Sequence, residues 1–265
     1  MLYCSFNGVE SQQLPVLDRS IHYGDGVFTT ATISQGRVVW LFDHIKRLQD
    51  ACQHFSIEGI DWPLLIAHVE QVAKSFDQHV LKIIISAGQA SAGYGRLASC
   101  RANVLVMVNA FPMHYFNWQN TGIAVELANT QLGINPVLAG YKHLNRLEQV
   151  LLKNEINNLS CDDLLAFNIN DELIEAISGN IFVNINEQWC TPSLEESGVN
   201  GLARQRLLNH FNDIDVRKIK REELAQVDSM FITNCLLPLV PVNQLASRKL
   251  SIDACQPFLH FLKQN

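Results

Sequence analysis

The apolar runs of this chain are short, and this limits what it can fold into. The longest of them, such as Val80–Ile85 and Val104–Val108, have the length of buried β-strands. None approaches the roughly 18 apolar residues that a helix needs to span a membrane. The N-terminal sequence MLYCSFNGVESQQ contains no basic segment followed by an apolar stretch, so no signal peptide is evident. We therefore expect a cytoplasmic protein that has no membrane partner.

Strand-like and helix-like segments follow each other irregularly, which favours an α+β fold over regular βαβ winding. Gln35-Gly36 predicts a hairpin between strands Val27–Ser34 and Arg37–Leu41. Asp43 is then the expected N-cap of an amphipathic helix that reaches Phe55. Further helices are expected at Leu64–Phe76, at Asn145–Asn157, from Gly201 onward and at Ser251–Lys263. Further strands are expected at Val80–Ser86, Asn103–Asn109, Ile123–Ala128, Leu164–Ile169, Glu172–Ala176, Asn180–Ile185, Gln188–Thr191 and Ser229–Thr233.

The segment Ala110–Gly122 interrupts this alternation, so we predict a domain boundary there. The prediction has three parts: a small N-terminal α/β domain at 1–113, a linker at 114–122 and a larger C-terminal domain at 123–265. Each predicted domain can bury a core, because it is long enough and because 48% of the 265 residues of the chain are apolar.

Charge and motifs exclude several classes of function. The formal net charge is -6 and no long basic run occurs, so nucleic acid is not an expected partner. The seven cysteines include no C-x-x-C pair, which predicts reduced thiols and no metal site. The segment Gly93–Ala98 fits G-x-G-x-x-A, but no acidic residue lies between Asp77 and Glu126 to bind a ribose. We interpret it as a loop rather than a dinucleotide site.

Four stretches contain candidate functional residues. Lys142 precedes a predicted helix, and a buried lysine amine can form a Schiff base with a carbonyl. Glu175 lies in an apolar hairpin, where a buried carboxylate needs a partner such as a protonated pyridine nitrogen. Arg47 lies on a predicted helix. The turn Gly198–Gly201 opens another helix, and free backbone N–H groups there would suit a phosphate. Taken singly, each stretch is also compatible with an ordinary surface charge or helix start.

Taken together and in this order, the stretches resemble the aminodeoxychorismate lyases of the class IV aminotransferase family. The run Lys-His-Leu-Asn-Arg-Leu-Glu-Gln from Lys142 is specific to the lyases, whereas Gly-Asp-Gly-Val-Phe and His-x-x-Arg-Leu mark the wider family. The resemblance covers nearly the whole chain, in the segments Asp18–Arg19, Tyr23–Thr30, His44–Cys52, Ala139–Glu148, Glu172–Phe182, Val199–Asn200 and Thr233–Val242.

The resemblance implies a two-domain fold-type IV enzyme that binds pyridoxal 5′-phosphate. Lys142 would form the Schiff base with the cofactor, and Glu175 would pair with its pyridine nitrogen. Arg47 would bind the phosphate. The turn at Val199 and Asn200 would assist Arg47, as would Asn234 and Cys235.

The implied reaction converts 4-amino-4-deoxychorismate into 4-aminobenzoate and pyruvate, a step toward folate, with Lys142 as the general base. Members of this family are homodimers. The alternatives are a D-amino-acid or branched-chain amino-acid aminotransferase and a non-catalytic cofactor-binding protein. Ala92 replaces an arginine expected in this family, which leaves the substrate carboxylate without an assigned contact. Thr29, Tyr94 and Arg96 are the candidate substrate residues.

Overall fold

The short apolar runs form the strands of two separate sheets. The structure is a computed structural model that describes residues 1–89, 93–97 and 100–264. The described residues group into two compact units. Unit 1 contains Met1–Pro112 and the short segment Lys142–Asn145, and unit 2 contains Met113–Tyr141 and the chain from Arg146 onward. The fold class is therefore α+β, as the sequence predicts, and both units mix helices with a sheet.

Unit 1 is built on a six-stranded antiparallel sheet in the order β2-β1-β6-β5-β3-β4. The hairpin predicted at Gln35-Gly36 is present, and both of its turn residues have positive φ. The elements are β1 Tyr3–Phe6, β2 Val9–Glu10, α1 Arg19–Tyr23, β3 Gly26–Ser34, β4 Arg37–Val38, α2 Leu41–His54, α3 Trp62–Ala73, β5 His79–Ser86 and β6 Asn103–Ala110.

The starts of both helices predicted in unit 1 differ from the predictions. Helix α2 begins at Leu41, because Trp40 adopts a left-handed conformation (φ 53°) as the N-cap and ends the β4 hairpin there. The prediction that Asp43 is the N-cap is therefore wrong, and Asp43 instead lies in the first turn, where the helix dipole favours a negative charge. Helix α3 begins at Trp62, two residues earlier than expected, because the Asp61 side chain accepts a hydrogen bond from Leu64 N.

Unit 2 contains a nine-stranded mixed sheet in the order β12-β11-β10-β13-β14-β7-β8-β9, with β15 paired to β14. Three pairs are parallel (β11 with β12, β14 with β7, and β7 with β8). The elements are α4 Tyr115–Thr121, β7 Ile123–Leu132, α5 Leu147–Ile156, β8 Asp163–Asn168, β9 Leu173–Ala176, β10 Asn180–Ile185, β11 Gln188–Pro192, α6 Leu202–His210, β12 Asp215–Arg217, a 3-10 helix Arg221–Gln226, β13 Val227–Thr233, β14 Val240–Leu245, β15 Arg248–Lys249, a 3-10 helix Asp253–Cys255 and α7 Gln256–Gln264.

The core of unit 2 is formed by the strands that the sequence predicts best. Phe167, Phe182 and Phe231 are fully buried, and the rings of Phe182 and Phe231 stack with their centroids 4.8 Å apart. The 114–122 range, which we expect to be a linker, contains helix α4. Over the described residues, no helix combines the length and the apolar character needed to cross a membrane.

Candidate active site

Arg47 lies on α2 with its guanidinium group directed at β3. Its Nη2 donates a hydrogen bond to the Thr29 hydroxyl. The same hydroxyl lies 2.6 Å from His44 Nδ1, and both Thr29 and His44 are almost completely buried. The structure thus brings together two residues that the sequence suggests separately. The Thr29 hydroxyl therefore orients the guanidinium group of Arg47. This orientation is well defined because Thr29 and His44 are buried.

Lys142 lies in a short segment that extends the sheet of unit 1. Phe28 N donates to Lys142 O, and Leu144 N donates to Gly26 O, both at 2.9 Å, so the segment pairs with the first residues of β3. The lysine side chain is half-buried, and its Nζ lies 4.7 Å from the centre of the Phe28 ring. Lys142 is therefore held in place by backbone pairing of its segment with the start of β3.

A second lysine, Lys82 on β5, approaches the same aromatic ring. Its Nζ lies 5.0 Å from the centre of the Phe28 ring. Lys82 is half-buried, and this burial lowers its pKa. Lys82 is not predicted from the sequence, because a single lysine in the apolar run Val80–Ile85 is typical of the exposed face of a strand.

Arg96, a candidate substrate residue, is engaged within unit 1. Its guanidinium group binds both carboxylate oxygens of Asp25, at 2.5 and 3.0 Å, and also donates to the carbonyl oxygens of Phe55 and Ser56. Arg19, which is buried, binds Asp25 from another side at 2.6 Å. Burial tends to raise the pKa of Asp25, but the hydrogen bonds and charges of Arg96 and Arg19 outweigh it, so the pKa is lowered.

The segment around Tyr94 is fastened by the same arginine cluster. Arg19 donates to the carbonyl oxygens of Gly95 and Tyr94, at 3.0 and 2.8 Å. The Tyr94 side chain is 85% exposed and packs against Tyr23, with the ring centres 5.4 Å apart. Tyr94 therefore presents its ring to the exterior of unit 1. Ala92, the departure from the expected arginine, lies outside the described residues.

Glu175 lies on β9 in unit 2 and is buried, with 7% of its surface exposed. One carboxylate oxygen accepts a hydrogen bond from Val199 N at 2.9 Å, and the other faces the Gln149 amide nitrogen at 3.4 Å. Arg146 lies within electrostatic range. Burial lowers the pKa of Arg146, and the charges of Glu175 and Glu148 partly oppose this shift. The surroundings of Glu175 therefore suit its ionised form.

The turn from Gly198 to Gly201 is fixed at every peptide group. Val199 N donates to Glu175, and Asn200 N donates to Gly140 O at 2.9 Å. Gly201 N donates to the Asn180 side chain at 3.0 Å. The expectation that the N–H groups of this turn are free is therefore wrong, because they bind a carboxylate, a carbonyl and an amide of the protein itself.

The next N–H groups in the chain, those of Leu202 and Ala203, open helix α6. The first N–H groups of a helix have no intrahelical acceptor, and the described part of the structure offers these two none elsewhere. Arg204 follows them and is buried, which lowers its pKa to about 10. Its guanidinium group donates to three neutral oxygens, of Thr191, Asn200 and Pro192. The available anion-binding groups thus lie one to two residues beyond the predicted turn.

Asn234 shapes the loop that follows β13. Its side-chain oxygen accepts hydrogen bonds from Leu236 N and Leu237 N, at 2.8 and 2.7 Å, and its amide donates to Ser178 O at 2.9 Å. Cys235, the other residue predicted here, is half-buried and is not part of a disulfide bond. Asn234 therefore organises backbone, and its side chain is already hydrogen-bonded within unit 2.

The predicted site residues fall into two groups. Thr29, Arg47, Tyr94, Arg96 and Lys142 belong to unit 1. Glu175, Val199, Asn200, Asn234 and Cys235 belong to unit 2. Asn180, Arg204, Asp25 and Lys82 were not predicted. Asn180 and Asp25 lie inside the family motifs, but no local pattern indicates that Asn180 binds the backbone of a turn or that Asp25 binds two arginines.

Comparisons with known proteins identify related chains over almost the full length. Residues 26–245 match the family Amino-transferase class IV. The aminodeoxychorismate lyase of Vibrio harveyi is 31% identical over 251 residues, which cover 93% of each chain. The crystal structure of 4-amino-4-deoxychorismate lyase from Pseudomonas aeruginosa is 25% identical, with a TM-score of 0.93 over 99% of this chain and 98% of that one. A hypothetical aminotransferase from Mycobacterium tuberculosis, in a PLP-bound form, shares the fold at 18% identity, with a TM-score of 0.84 over 98% of this chain and 97% of that one.

Proposed function

The chain belongs to the class IV aminotransferase family, and on this premise we propose that it is an aminodeoxychorismate lyase dependent on pyridoxal 5′-phosphate. It converts 4-amino-4-deoxychorismate into 4-aminobenzoate and pyruvate, a step of folate biosynthesis. The observation that carries this proposal is the similarity to the Vibrio lyase, which extends over 93% of both chains. The similarity to the solved lyase structure supports it independently.

The residues present fit the cofactor by their chemistry. Unit 1 offers a half-buried amine, Lys142, and an oriented guanidinium group, Arg47. Unit 2 offers a buried carboxylate, Glu175, and the first N–H groups of α6. An amine, a carboxylate and a set of phosphate donors correspond to the aldehyde, ring nitrogen and phosphate of the cofactor. When bound, the cofactor acts as an electron sink for the substrate carbon that bears the amine.

We assign Lys142 two successive tasks: it would hold the cofactor through a Schiff base until the substrate amine takes its place, and its freed amine would then act as the general base. Its Nζ takes the proton from the ring carbon that bears the substrate amine. Loss of the enolpyruvyl oxygen from the neighbouring carbon then completes the aromatic ring, and the released enol becomes pyruvate. Backbone pairing of the segment with β3 keeps the amine in a defined position for both tasks.

Glu175 is assigned to the pyridine nitrogen. Val199 N–H and the Gln149 amide donate to its two oxygens, and such donors favour the carboxylate over the protonated acid. A carboxylate holds a proton on the ring nitrogen by charge attraction. Glu175 therefore strengthens the electron withdrawal on which the deprotonation by Lys142 depends.

The phosphate is assigned to Arg47 and to the start of α6, to which the Val199–Asn200 turn leads. Helix N-termini bind anions because their N–H groups and the helix dipole point toward the ligand. Asn234 and Cys235 are assigned a supporting role near the phosphate. In the case of Asn234 this support acts through the loop backbone that its side chain organises.

For the substrate carboxylates we assign Lys82, with Tyr94 as a further candidate contact. Thr29 is buried and its hydroxyl binds Arg47 and His44, so we assign it the orientation of Arg47 instead of a substrate contact. Arg96 is less suited, because Asp25 and two carbonyl groups already occupy its guanidinium group. No acidic side chain pairs with Lys82 within the described ranges. Its charge, close to the ring that Lys142 also approaches, is therefore available to an anionic substrate.

We further propose a cytoplasmic homodimer. Helix α5 exposes Leu147, Val150 and Leu151, and these residues are spaced so that they share one face. An apolar helix face of this kind is typical of a subunit interface, and we propose a second copy of the chain as its partner. Light scattering should give the mass of a dimer for the wild type and of a monomer for Leu151→Lys. A monomeric wild-type protein would contradict this part of the proposal.

The decisive experiment supplies the purified protein with the cofactor and three substrates in separate reactions. Aminodeoxychorismate should release pyruvate and 4-aminobenzoate in equal amounts. D-alanine or branched-chain amino acids with 2-oxoglutarate should give little product, and efficient transamination without lyase activity would overturn the proposal. Lys142→Ala should lose turnover and the visible absorbance of the bound cofactor. Lys153→Ala, an exposed lysine on α5, is the matched control.

A further inference from the structure

Asn180 is a buried polar side chain that the proposed chemistry does not use. It opens β10, and only 4% of its surface is exposed. Its amide nitrogen donates to Val199 O at 2.7 Å, and its amide oxygen accepts from Gly201 N at 3.0 Å. Both of its polar atoms therefore bind the backbone of a single turn.

The same turn is held from two other sides. Glu175 accepts a hydrogen bond from Val199 N, and Gly140 forms two hydrogen bonds, from its N to Gly198 O and to its O from Asn200 N. Three successive peptide groups are thereby fixed in orientation. A peptide group cannot rotate to face a ligand without breaking these bonds, so the direction in which α6 starts is determined by them.

The close approach of Asn180 requires glycine at position 201. A Cβ added to Gly201 would lie 2.3 Å from the Asn180 side-chain oxygen, although the backbone angles of Gly201 (φ -69°, ψ 148°) suit any residue. Glycine is therefore needed for space and not for its conformational freedom. This contact joins the end of the turn to the first free N–H groups of α6, at Leu202 and Ala203.

We infer that Asn180 is a positioning residue for the phosphate-binding end of the cofactor site. It fixes the Val199–Gly201 turn so that Leu202 N–H and Ala203 N–H are oriented in advance, while Val199 N–H remains directed at Glu175. Asn180 itself does not touch the cofactor. The inference rests on the proposed function, because it takes the cofactor's phosphate as the ligand of these N–H groups.

The test compares the affinities of the apoprotein for pyridoxal 5′-phosphate and for pyridoxal, which lacks the phosphate. The dissociation constant for pyridoxal divided by that for pyridoxal 5′-phosphate measures how much the phosphate adds to the affinity. In Asn180→Ala we expect this ratio to fall by about tenfold or more, because two hydrogen bonds that orient the turn are lost. The affinity for pyridoxal should change little. Asn184→Ala, a half-buried residue on the same strand, is the control and should leave the ratio unchanged.

Gly201→Ala provides a second route to the same disturbance. Its methyl group displaces the Asn180 side chain while the backbone angles remain allowed, so it should lower the ratio as Asn180→Ala does. Thermal unfolding of each apoprotein shows whether the variant is folded. An Asn180→Ala protein that loses affinity for both ligands equally, or for neither, overturns the inference. A wild-type protein that binds neither ligand would instead contradict the proposed function.

Discussion

Two carboxylates, the half-buried Asp25 in unit 1 and the buried Glu175 in unit 2, differ in the partners that hold them. Asp25 binds the guanidinium groups of Arg19 and Arg96 at 2.5 to 3.0 Å. Glu175 receives hydrogen bonds from a backbone N–H and a side-chain amide. Two guanidinium groups bind Asp25 directly, whereas Glu175 receives hydrogen bonds from neutral groups and lies within the electrostatic range of one arginine, Arg146. The difference supports a structural role for Asp25 and, for Glu175, the proposed pairing with a cationic ligand.

The largest effect should come from neutralising Glu175. Glu175→Gln keeps the shape of the side chain but removes the charge that we propose holds a proton on the pyridine nitrogen, so kcat should fall by about a thousandfold. The new NH2 group would face the Gln149 NH2 group, so the Gln149 amide must turn to present its buried oxygen, and the melting temperature should fall slightly. Steady-state kinetics and thermal unfolding measure the two quantities. A variant with near-normal kcat would contradict the functional role assigned to Glu175.

Asp25→Asn should produce the opposite pattern. Removing the charge leaves the buried Arg19 and the half-buried Arg96 without their anionic partner, so the free energy of unfolding should fall by about 3 kcal/mol. The fraction that remains folded should still bind the cofactor with its normal visible absorbance. Urea unfolding gives the stability, and Asp50→Asn, an exposed acid in α2, serves as the control. A loss of cofactor absorbance without a loss of stability would contradict the structural role.

The difference in the free energy of unfolding between the wild type and Asp25→Asn should itself depend on pH. The folded-state pKa of Asp25 is lowered, so its contribution is complete above the unfolded-state pKa, about 3.9. It is lost as the pH falls through the lower folded-state value. The stability gap between the two proteins should therefore narrow below about pH 4, as measured by urea midpoints from pH 5 downward. A constant gap would mean that Asp25 is not ionised in the fold.

The smallest effect should come from Lys82, a cation of unit 1 that Asp25 does not neutralise. Lys82→Met retains the apolar part of the side chain and removes the charge assigned to a substrate carboxylate. KM for aminodeoxychorismate should rise by about tenfold, while the affinity for the cofactor stays the same. Lys74→Met, on the exposed face after α3, is the control. An unchanged KM would mean that residues other than Lys82 bind the substrate carboxylate.

Local sequence patterns predicted most of the fold because they carry their own periodicity. The apolar runs Val80–Ile85 and Val104–Val108 form most of β5 and β6. Asn186-Glu187 forms the turn of the β10–β11 hairpin, and both residues have positive φ. β1 and β2 were missed because four and two residues are too short for a pattern. β14 was missed because Pro241 makes its sequence look like a loop.

The candidate site was predictable in its residue types and not in its backbone. Lys142 and Glu175 could be singled out because their motifs are local. Which N–H groups near Gly198 remain available could not be predicted, because their acceptors, on Asn180, Glu175 and Gly140, lie 21 to 60 residues away in the sequence. The pairing of Lys142 with Phe28 spans more than 110 residues and leaves no local trace. Long-range hydrogen bonds of this kind are a property of the fold.

The pairing of Lys142–Leu144 with β3 also sets an order of events during synthesis. Unit 1 is not complete when the ribosome has passed Pro112, because the free edge of β3 at Gly26–Phe28 acquires its partner only once residue 144 has been made. Until then a nascent chain carries an unpaired strand edge, which is a template for association with other chains. The segment that carries Lys142 thus also ends the period in which this edge is exposed to association.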